Sequence, residues 1–302
     1  MTASARVGDF ESLRPHLLAV AYRLVGTMAD AEDVVQDAWL RWNGTDSAVI
    51  KDPRAWLTTV VSRLALDRLR SAAHRREAYY GQWLPEPVVT PLDGDDPLAT
   101  VVAHEDARFV AMVVLDRLSP DQRVAFVLHD GFGVPFAEIA SVLGVSEATA
   151  RQLASRARRT VAAAPPPVSE EEHTAAATAL MTAMAAGDME AVVRLLHPEV
   201  TFTGDANRAA PTAPRVIEGP VKVARFLFGL ARRYGPGWLD GAQPARVNGE
   251  LGVYLAGRPA QDGYPPLLPR ILVMAVRDGK VCAIFDIANP EKFTASPLAA
   301  RR

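Results

Sequence analysis

Hydrophobic positions recur at helical spacing through the first part of the chain. One such repeat predicts a first helix: Leu13, Leu17, Ala21 and Leu24. Gly26 interrupts the repeat, and Asp30 is suited to cap a second helix. That second helix carries an apolar stripe made of Val34, Val35, Ala38, Trp39 and Trp42. Asp52 followed by Pro53 then predicts the start of a third helix, which extends to about residue 76.

Residues 119–161 continue the helical pattern. The sequence SPDQ at 119–122 is a capping box with proline at the first helical position, and Gly131 ends that helix. Residues 136–159 show the spacing of a helix-turn-helix, with Gly144 at a turn that needs a positive φ and Ser146 as N-cap of the second helix. Ala140 lies where the second helix must pass close. The apolar positions that join the two helices are Ile139, Leu143, Val145, Ala150 and Leu153.

The second helix of this pair leaves basic and polar side chains on its outer face. The outward positions are Arg151, Gln152, Ser155 and Arg156. This face is where a DNA major groove would lie. Arginine can form bidentate hydrogen bonds with guanine, and glutamine can do so with adenine. Arg158 and Arg159 are suited to phosphate contacts. An ordinary surface helix pair is the alternative interpretation.

The pattern changes after a linker at 162–168 that contains three consecutive prolines. Helices are predicted at 169–186, 188–196 and 220–234, with a short strand at 200–203. Four longer strands are predicted at 242–248, 251–255, 270–277 and 281–287. Asn248-Gly249 and Asp278-Gly279 are typical hairpin turns. Helices followed by a strand meander indicate an α+β domain with a curved sheet wrapped on a helix.

Composition excludes several classes of protein. Almost half of the 302 residues are apolar, so sizeable cores can form, but no apolar run approaches the length of a membrane span. Cys282 is the only cysteine, which excludes an internal disulfide and suits a cytoplasmic location. Its alternation with apolar residues favours a core position. No cluster of cysteine and histidine has metal-ligand spacing, and the six histidines are scattered, so neither a metal nor a cofactor is expected.

Charge is segregated along the chain, although the net charge is only −2. Residues 28–40 carry acids and no lysine or arginine, residues 51–76 carry seven basic residues, and residues 77–107 carry seven acids with no lysine or arginine. Such blocks suggest several different partners for one chain, although any single block is also compatible with a solvated face.

With both helical parts in view, the first 160 residues resemble a bacterial sigma factor of the extracytoplasmic-function type. DAEDVVQDAWLRW at 30–42 resembles sigma region 2, which docks on the clamp helices of RNA polymerase. DPRAWLTTVVSRLALDRLRSAAHRR at 52–76 resembles the part that melts and holds the −10 element, and residues 118–161 resemble region 4, which reads the −35 element. The resemblance implies a non-enzymatic factor whose partners are promoter DNA and polymerase core, through the β′ clamp and the β flap.

WLPEP at 83–87, the third domain and NPEKF at 289–293 resemble the sigma group with a SnoaL-like C-terminal extension. The expected architecture is two all-α sigma domains and an α+β SnoaL/NTF2-like cone domain. The expected boundaries are region 2 at 1–80, an acidic proline-rich linker at 81–104, region 4 at 105–163 and the extension at 168–302. An extended acidic linker repels DNA and suits a basic channel; docking of WLPEP on the third domain is the alternative for that motif.

The extension departs from its group at one place. The group often carries Asp-Gly-Gly-Gly-Lys, whereas this chain has Asp205-Ala206-Asn207-Arg208, which lacks the glycines that a backbone cradle would use. SnoaL-like relatives include enzymes that use pocket acids as bases. The candidates for such chemistry are Asp205, Asp240, Asp262, His197 and Tyr254, and none forms an acid/base pair at useful spacing. A regulatory module is favoured over an enzyme, and a small ligand in this domain stays open.

These considerations assign four groups of site residues. Polymerase core is expected to meet Asp33, Gln36, Asp37 and Trp39. The −10 DNA is expected to meet Arg63, Arg68, Arg70 and Trp56, the last with core packing as its alternative. The −35 DNA is expected to meet Arg151, Gln152, Ser155, Arg156 and Arg159. Interdomain regulation is expected to involve Trp83, Pro85, Asp205, Arg208, Asn289, Lys292 and Phe293, with Phe293 as anchor.

Two rival functions stay open at this point. A stand-alone helix-turn-helix regulator would use the same DNA-reading helix, but it has no need of the acidic helix at 30–42. A SnoaL-like enzyme fused to a DNA-binding module would require turnover by the C-terminal domain.

Overall fold

A computed structural model describes residues 3–46, 50–76, 79–92, 99, 101–102 and 107–293, with the side chains of 3–5 and 72–76 outside the description. The chain divides into two compact units. Unit 1 comprises Met1–Ala78 with Asp95–Ala164, and unit 2 comprises Tyr79–Gly94 with Pro165–Arg302.

Unit 1 begins with three helices: α1 (Ala3–Val25), α2 (Met28–Gly44) and α3 (Pro53–Arg76). Leu17, Leu24, Val34 and Leu57 are fully buried where the three helices pack together. Asp52 caps α3, because its Oδ1 accepts from the backbone N of Ala55 at 3.1 Å.

The predicted cap of α2 is wrong. Thr27 is the N-cap, and its side chain accepts from the backbone N of Asp30. Asp30 instead accepts from the Thr27 hydroxyl at 2.8 Å. Thr27 has an extended backbone and lies just before the first turn, where its side chain satisfies a free backbone N–H group of that turn. Asp30 therefore lies inside the helix.

The second part of unit 1 contains α4 (Phe109–Leu115), α5 (Pro120–Phe126), a π-helical turn (Val127–Gly131), α6 (Phe136–Leu143) and α7 (Glu147–Val161). The capping box between Ser119 and Gln122 is confirmed. Gly144 has φ of 69°, and Ser146 accepts from the backbone N of Thr149 at 3.1 Å, so the helix-turn-helix prediction is confirmed at its turn and its cap.

Small residues bring α6 and α7 together. Ala140, Ala150, Ala154 and Ala157 are all buried, the last three completely. The pattern at 136–159 predicted Ala140 and Ala150 in this role but not the two later alanines. Because alanine adds only a methyl group, α7 can lie close to the neighbouring helices along most of its length.

Unit 2 contains α8 (Glu170–Ala185), α9 (Met189–Leu195) and α10 (Pro220–Tyr234). Its strands are β1 (Val89–Thr90), β2 (Leu196–Asp205), β3 (Ile217–Glu218), β4 (Ala242–Val247), β5 (Glu250–Leu255), β6 (Arg270–Arg277) and β7 (Lys280–Ile287). They form one sheet in the order β1-β4-β5-β6-β7-β2-β3, in which only the β2–β7 pair is parallel.

The predicted meander is present as β4 to β7. Its two hairpin turns have the expected left-handed backbone, with φ of 50° at Asn248 and 54° at Asp278. The strand predicted at 200–203 is longer than expected and begins directly after α9. The apolar core lies between helices and sheet; it includes Leu180, Leu227, Phe202 and Ile284.

The structure places residues 79–92 differently from the predicted extended linker. Val89 and Thr90 form β1, which pairs with Val247 and Arg246 at the edge of the sheet. Residues 84–90 are buried, among them the apolar side chains of Leu84, Val88 and Val89. Most of the remaining linker, residues 93–98, 100 and 103–106, lies outside the described residues. We call residues 79–90 the arm.

Candidate nucleic-acid and polymerase interfaces

The outer face of α7 carries the side chains predicted to read DNA. Arg151, Gln152, Ser155, Arg156 and Arg159 are all exposed, on the side opposite the buried alanines. Helical geometry puts residues three and four apart on one face, so this arrangement follows from the sequence.

Two of the arginines on α7 are held in place by neighbours. Arg151 pairs with Glu147 at 2.5 Å, one turn earlier, and its guanidinium carbon lies 5.1 Å from the centroid of the Phe136 ring. Arg158 donates from Nε to Asp130 Oδ1 at 2.6 Å. Among the described residues, Arg156 makes no ion pair, and its side chain is exposed. The two contacts of Arg151 orient its guanidinium.

A groove of about 820 Å³ lies beside the end of α2, the start of α3 and one residue of α6. Its lining includes Trp56, Thr45 and Asp52. Residues 47–49, between Thr45 and Asp52, lie outside the description. Arg41, Lys51 and Arg63 line the groove as cations, and Glu138 of α6 lines it as an acid. The sequence reasoning missed Arg41 and Lys51.

The side chain of Trp56 borders both the interior of unit 1 and the groove. It is half-buried, its ring centroid lies 5.9 Å from that of Trp42, and it also lines the groove. One face of the ring therefore belongs to the packing of unit 1, and the side chain still borders open space. Core packing and base stacking, treated as alternatives from the sequence, are compatible with each other in this geometry.

The acidic face of α2 is organised by Arg68 of α3. Arg68 Nη1 lies 2.9 Å from Asp30 Oδ1 and 3.1 Å from Asp33 Oδ2, and Nη2 lies 4.0 Å from Asp37 Oδ2. Arg68 was predicted to contact DNA phosphates, and Asp33 and Asp37 to meet polymerase. The structure joins these residues in one cluster, since the two helices pack side by side and opposite charges meet across them.

Gln36 and Trp39 lie on the same helix. Gln36 is exposed, whereas Trp39 is half-buried with its ring 5.0 Å from that of Phe10 in an edge-to-face contact. Asp33 and Asp37 keep 61% and 49% of their side-chain surface exposed despite Arg68. This face of α2 thus presents accessible carboxylates around the partly covered ring of Trp39.

The two parts of unit 1 are in contact. Arg63 donates from Nη2 to the backbone O and the Oγ of Ser141, both at 3.1 Å, and Arg70 pairs with Asp121 at 3.0 Å. Sequence reasoning expected both arginines on DNA. In this arrangement each guanidinium already holds a partner from the second part of unit 1.

Arg123 is a further contact between the two parts that the sequence did not reveal. Its side chain is buried, donates from Nε to the backbone O of Arg23 at 2.9 Å, and pairs with Asp116 at 3.2 Å. Buried arginines are rare unless they are paired, but an isolated arginine in a helical pattern gives no signal of its partner 100 residues away.

In unit 2, the residues predicted as regulatory hold the arm. Lys292 pairs with Asp205 Oδ2 and donates to the backbone O of Leu84; the side chains of Lys292 and Asp205 are 5% and 0% exposed. Asp205 also accepts from the backbone N of Leu84 at 2.7 Å and from the Tyr79 hydroxyl. Asn289 donates to the same hydroxyl at 2.8 Å. We call Asp205, Asn289 and Lys292 the latch.

The electrostatics of the latch extend to its aromatic neighbours. Lys292 Nζ lies 4.1 Å from the centroid of the Trp83 ring, a cation–π contact. Burial and the hydrogen bond to Asp205 raise the pKa of Tyr79 far above its usual value. The phenol therefore stays protonated and donates to the carboxylate. Burial likewise raises the pKa of the Cys282 thiol.

The arm's second attachment is Asn248. Its Oδ1 accepts from the backbone N of Val88 at 3.0 Å, and its own backbone N donates to Val88 O at 2.8 Å. Pro85 is buried within the arm. Phe293, predicted as the anchor of its motif, is only half-buried, whereas its neighbour Lys292 is buried. A lysine can take that place because Asp205 neutralises it.

The departure at 205–208 is visible in the backbone. Asn207 and Arg208 adopt φ of 42° and 68°, the left-handed region that favours glycine. The Arg208 guanidinium carbon lies 4.4 Å from the centroid of the Tyr80 ring. The turn conformation is thus kept without glycine, and the side chain at 208 reaches the arm.

No helix in the described part of the chain is long and apolar enough to cross a membrane. Within the same residues, the structure shows no group of histidine, cysteine and acidic side chains that could hold a metal ion.

A helix-turn-helix with an exposed arginine face, packed with a three-helix part that presents an acidic face, defines a transcription factor of the sigma class. The family descriptions agree: Sigma-70 region 2 matches residues 10–75, and Sigma-70 region 4 matches residues 109–161. The chain is 67% identical over 299 residues to the ECF RNA polymerase sigma factor SigJ of Mycobacterium tuberculosis, covering 98% of this chain and 96% of that protein.

A second relative from the same organism, described as probable ECF RNA polymerase sigma factor SigI, is 32% identical over 296 residues, covering 95% of this chain and 93% of that protein. The crystal structure of M. tuberculosis SigJ superposes with a TM-score of 0.85 at 65% identity, covering 97% of this chain and 99% of that one. The chain belongs to the ECF RNA polymerase sigma factors. Its fold is two helical sigma regions followed by a SnoaL-like α+β extension.

Proposed function

We propose that this chain is a sigma subunit whose C-terminal domain regulates it by holding the arm, the segment that lies between the two sigma regions in the sequence. Membership of the family establishes the first part: the chain binds RNA polymerase core and directs promoter recognition. The observation that supports the regulatory part is the buried latch, which fixes the arm to unit 2 through Asp205 and Lys292.

The exposed face of α7 supports its assignment to the −35 element. Arg151 and Arg156 are five residues apart on a capped helix, and each can bind a guanine edge, with about 1–3 kcal/mol of discrimination for a good bidentate pair. Gln152 between them suits adenine. Ser155 and Arg159, at the sides of the same exposed face, suit phosphate.

The groove beside Trp56 supports its assignment to the −10 element. Strand opening needs a pocket that accepts an unstacked base and cations that follow the single strand. The groove offers the Trp56 ring with Arg41, Lys51 and Arg63 at its walls. Arg70 is exposed near the end of the described part of α3 and extends the basic track.

The acidic face of α2 supports its assignment to polymerase core. Asp33, Gln36 and Asp37 are accessible around Trp39. Rim charges orient a partner, and a partly covered aromatic ring supplies apolar contact. Arg68 acts here as a positioning residue, since its guanidinium fixes the carboxylates relative to α3.

The packed arrangement of unit 1 is closed with respect to DNA. Arg63 is bound to Ser141, Arg70 is paired with Asp121, and Glu138 places a carboxylate at the groove. A carboxylate repels the phosphate backbone, and the two arginines are engaged. We infer that α3 and α6 separate when the factor works on a promoter.

The primary test is reconstituted transcription. Polymerase core with and without the full-length chain would be presented with a promoter library, and transcripts would be sequenced. We expect a shared −35 and −10 pattern that appears only with the chain present. Transcripts identical to those of core alone would refute the function. Tight, core-independent operator binding in a gel shift would favour a stand-alone regulator.

The regulatory part is tested by loosening the arm without touching the sigma regions. Asn248→Gly keeps the left-handed turn and removes the hydrogen bond to Val88. Asp278→Gly is the control for the turn itself, because Asp278 occupies the equivalent left-handed position of the other hairpin, where its exposed side chain makes no hydrogen bond to the arm. We expect promoter-dependent transcript yield to change with Asn248→Gly alone. Equal yields would rule out regulation through the arm.

We also propose that the C-terminal domain regulates without catalysing a reaction, and that the protein works in the cytoplasm, where polymerase acts. Asp286, a fully buried acid of this domain, is held by Arg270 at 3.1 Å and by the Thr212 hydroxyl at 2.6 Å. A carboxylate fixed in this way suits a structural role. Turnover of a small hydrophobic ketone or ester by the purified full-length chain would revive the fused-enzyme alternative.

A further inference from the structure

Helix α10 carries cations along its exposed face. Its sequence, PVKVARFLFGLARRY, contains no acid, and the face turned to the core of unit 2 buries Val223, Leu227 and Leu230. Four basic side chains lie exposed on the opposite face: Lys222, Arg225, Arg232 and Arg233. We call these four residues the cationic strip. At a rise of 1.5 Å per residue, the strip is roughly 16 Å long.

The charges of the cationic strip are not neutralised by the described part of the chain. Within that part, none of the four side chains forms an ion pair, whereas Arg246 and Arg277 of the same unit pair with Glu170 and Glu199. The exposed Glu218 precedes the helix and is one acid against four cations. Like charges on neighbouring turns of one helix face repel each other. An anionic partner would remove that repulsion.

Gly229 lies at the centre of the cationic strip. Glycine inside a helix lowers its stability relative to alanine. Gly229 has no positive φ, and a Cβ added to it would meet nothing within 4 Å beyond its own turns of the helix. Neither backbone geometry nor internal packing therefore requires glycine here. Arg225 lies one turn before Gly229, and Arg232 and Arg233 lie one turn after it, so the missing side chain leaves a gap among long cationic ones.

We propose that the cationic strip binds the sugar–phosphate backbone of double-helical DNA, with Gly229 as the point of closest approach. A duplex carries one negative charge per about 1.7 Å of its axis, so a duplex along the strip offers about ten phosphates to four cations. Three of the four are arginines, whose planar guanidinium forms paired hydrogen bonds with phosphate. The family works on promoter DNA, so duplex DNA is the polyanion present where the chain acts. Contacts of this kind are independent of base sequence.

The first test measures binding of a labelled DNA duplex of arbitrary sequence to the full-length chain by fluorescence anisotropy, over a series of salt concentrations. We expect Arg225→Gln combined with Arg232→Gln to lower the slope of log K against log salt concentration by about 2, one unit for each phosphate contact. Binding in about 0.1 M salt should weaken more than tenfold.

A control with the same change of charge is Arg194→Gln combined with Arg277→Gln. Arg194 lies on α9 and pairs with Glu190, and Arg277 lies on β6, so neither belongs to the cationic strip. We expect this pair of substitutions to leave the salt slope unchanged. Equal slopes for the two double variants, or no salt-dependent binding of the duplex by the unaltered chain, would overturn the proposal.

Gly229→Leu separates close approach from charge. Leucine favours the helix more than glycine does, so thermal stability should be kept or raised. The added side chain should nevertheless weaken duplex binding roughly eightfold in about 0.1 M salt, the equivalent of one lost phosphate contact. Ala175→Leu, at an exposed position of α8, is the control for added bulk and should bind as the unaltered chain does. A stable Gly229→Leu protein with undiminished duplex binding would refute the role of the glycine as the point of approach.

An acidic protein surface is the alternative partner, and labelled poly-glutamate is the probe for it. We expect the combined Arg225→Gln and Arg232→Gln protein to lose affinity for the duplex and little for poly-glutamate, because a flexible carboxylate chain has no fixed phosphate spacing. An equal or larger loss for poly-glutamate would overturn the assignment to DNA. None of these variants changes α2, α3 or α7, so failure here would leave the test of the sigma function by reconstituted transcription unaffected.

Discussion

Lys292 and Asp205 form an ion pair in which both side chains are almost completely removed from solvent. The two residues lie 87 positions apart in the sequence, and the backbone of Leu84 contacts both of them. Removing one partner of a buried pair costs more than the pair contributes, because the remaining charge is left uncompensated. The latch is therefore sensitive to single substitutions on either side.

Asp205→Asn should destabilise unit 2 by about 3–5 kcal/mol and expose the arm, because the Lys292 ammonium loses its counter-charge. Urea unfolding gives the stability, and hydrogen exchange at the Leu84 amide reports the arm. Asp278→Asn, at a side chain 84% exposed, serves as control and should change neither. A Leu84 amide as protected in Asp205→Asn as in the unaltered chain would contradict the role of this acid.

Tyr79 should not ionise in the range where ordinary tyrosines do. Its raised pKa means that the protonated phenol is favoured in the folded state, so its contribution to stability is complete below about pH 10 and falls as the pH rises further. The tyrosinate absorbance of the unaltered chain minus that of Tyr79→Phe should stay flat from about pH 9 to 11. A step near pH 10 in this difference would show that Tyr79 is exposed and the arm undocked.

Arg68 and Arg63 both lie on α3, but Arg68→Ala should affect binding to polymerase core, whereas Arg63→Ala should affect promoter melting. Arg68 orients the acids of α2, so its loss should weaken binding to polymerase core by roughly tenfold or less, in keeping with partly exposed ion pairs. Arg63 lines the groove, so its loss should reduce promoter melting while core binding is retained. Core pull-down and a fluorescent base at the −10 position measure the two effects. Equal effects of the two variants on both assays would refute the division.

Arg156→Ala and Arg159→Ala should differ in kind. Losing a bidentate base contact costs about 1–3 kcal/mol at one position of the −35 element and relaxes specificity there. Losing a phosphate contact weakens all sequences alike and lowers the salt slope by about 1. Holoenzyme binding to single-base variants of the −35 element at several salt concentrations distinguishes them. A uniform loss with Arg156→Ala would move that residue to the backbone contacts.

Sequence reasoning was strongest where chemistry is local. The capping box at Ser119, the turn at Gly144 and the hairpins at Asn248 and Asp278 depend on residues a few positions apart, and the structure confirms each of them. Helix and strand periods are local signals of the same kind, which is why the order of elements in both units was predictable.

Sequence reasoning failed where partners are distant. Nothing in the local pattern shows that Val89 pairs with Val247, that Arg123 reaches the carbonyl of Arg23, or that Arg68 holds Asp33. Proline-rich, acidic sequence is typical of a linker, and docking of WLPEP on the third domain was only the alternative to it. The contacts of Trp83 and Leu84 with the latch support that alternative, whereas the pairing of Val89 at the edge of the sheet was not predicted. The functional assignments of individual residues depend on family resemblance and stay predictions.

Docking of the arm also determines how much of the chain between the two sigma regions is free to extend. Its 12 residues would span roughly 40 Å if extended, and while they are pinned to the sheet that stretch cannot contribute to the distance between the two sigma regions. Undocking would add the whole arm to the free chain between the two sigma regions in a single event. The spacing between promoter elements that the factor tolerates would then depend on whether a strand two residues long stays paired at the edge of a sheet.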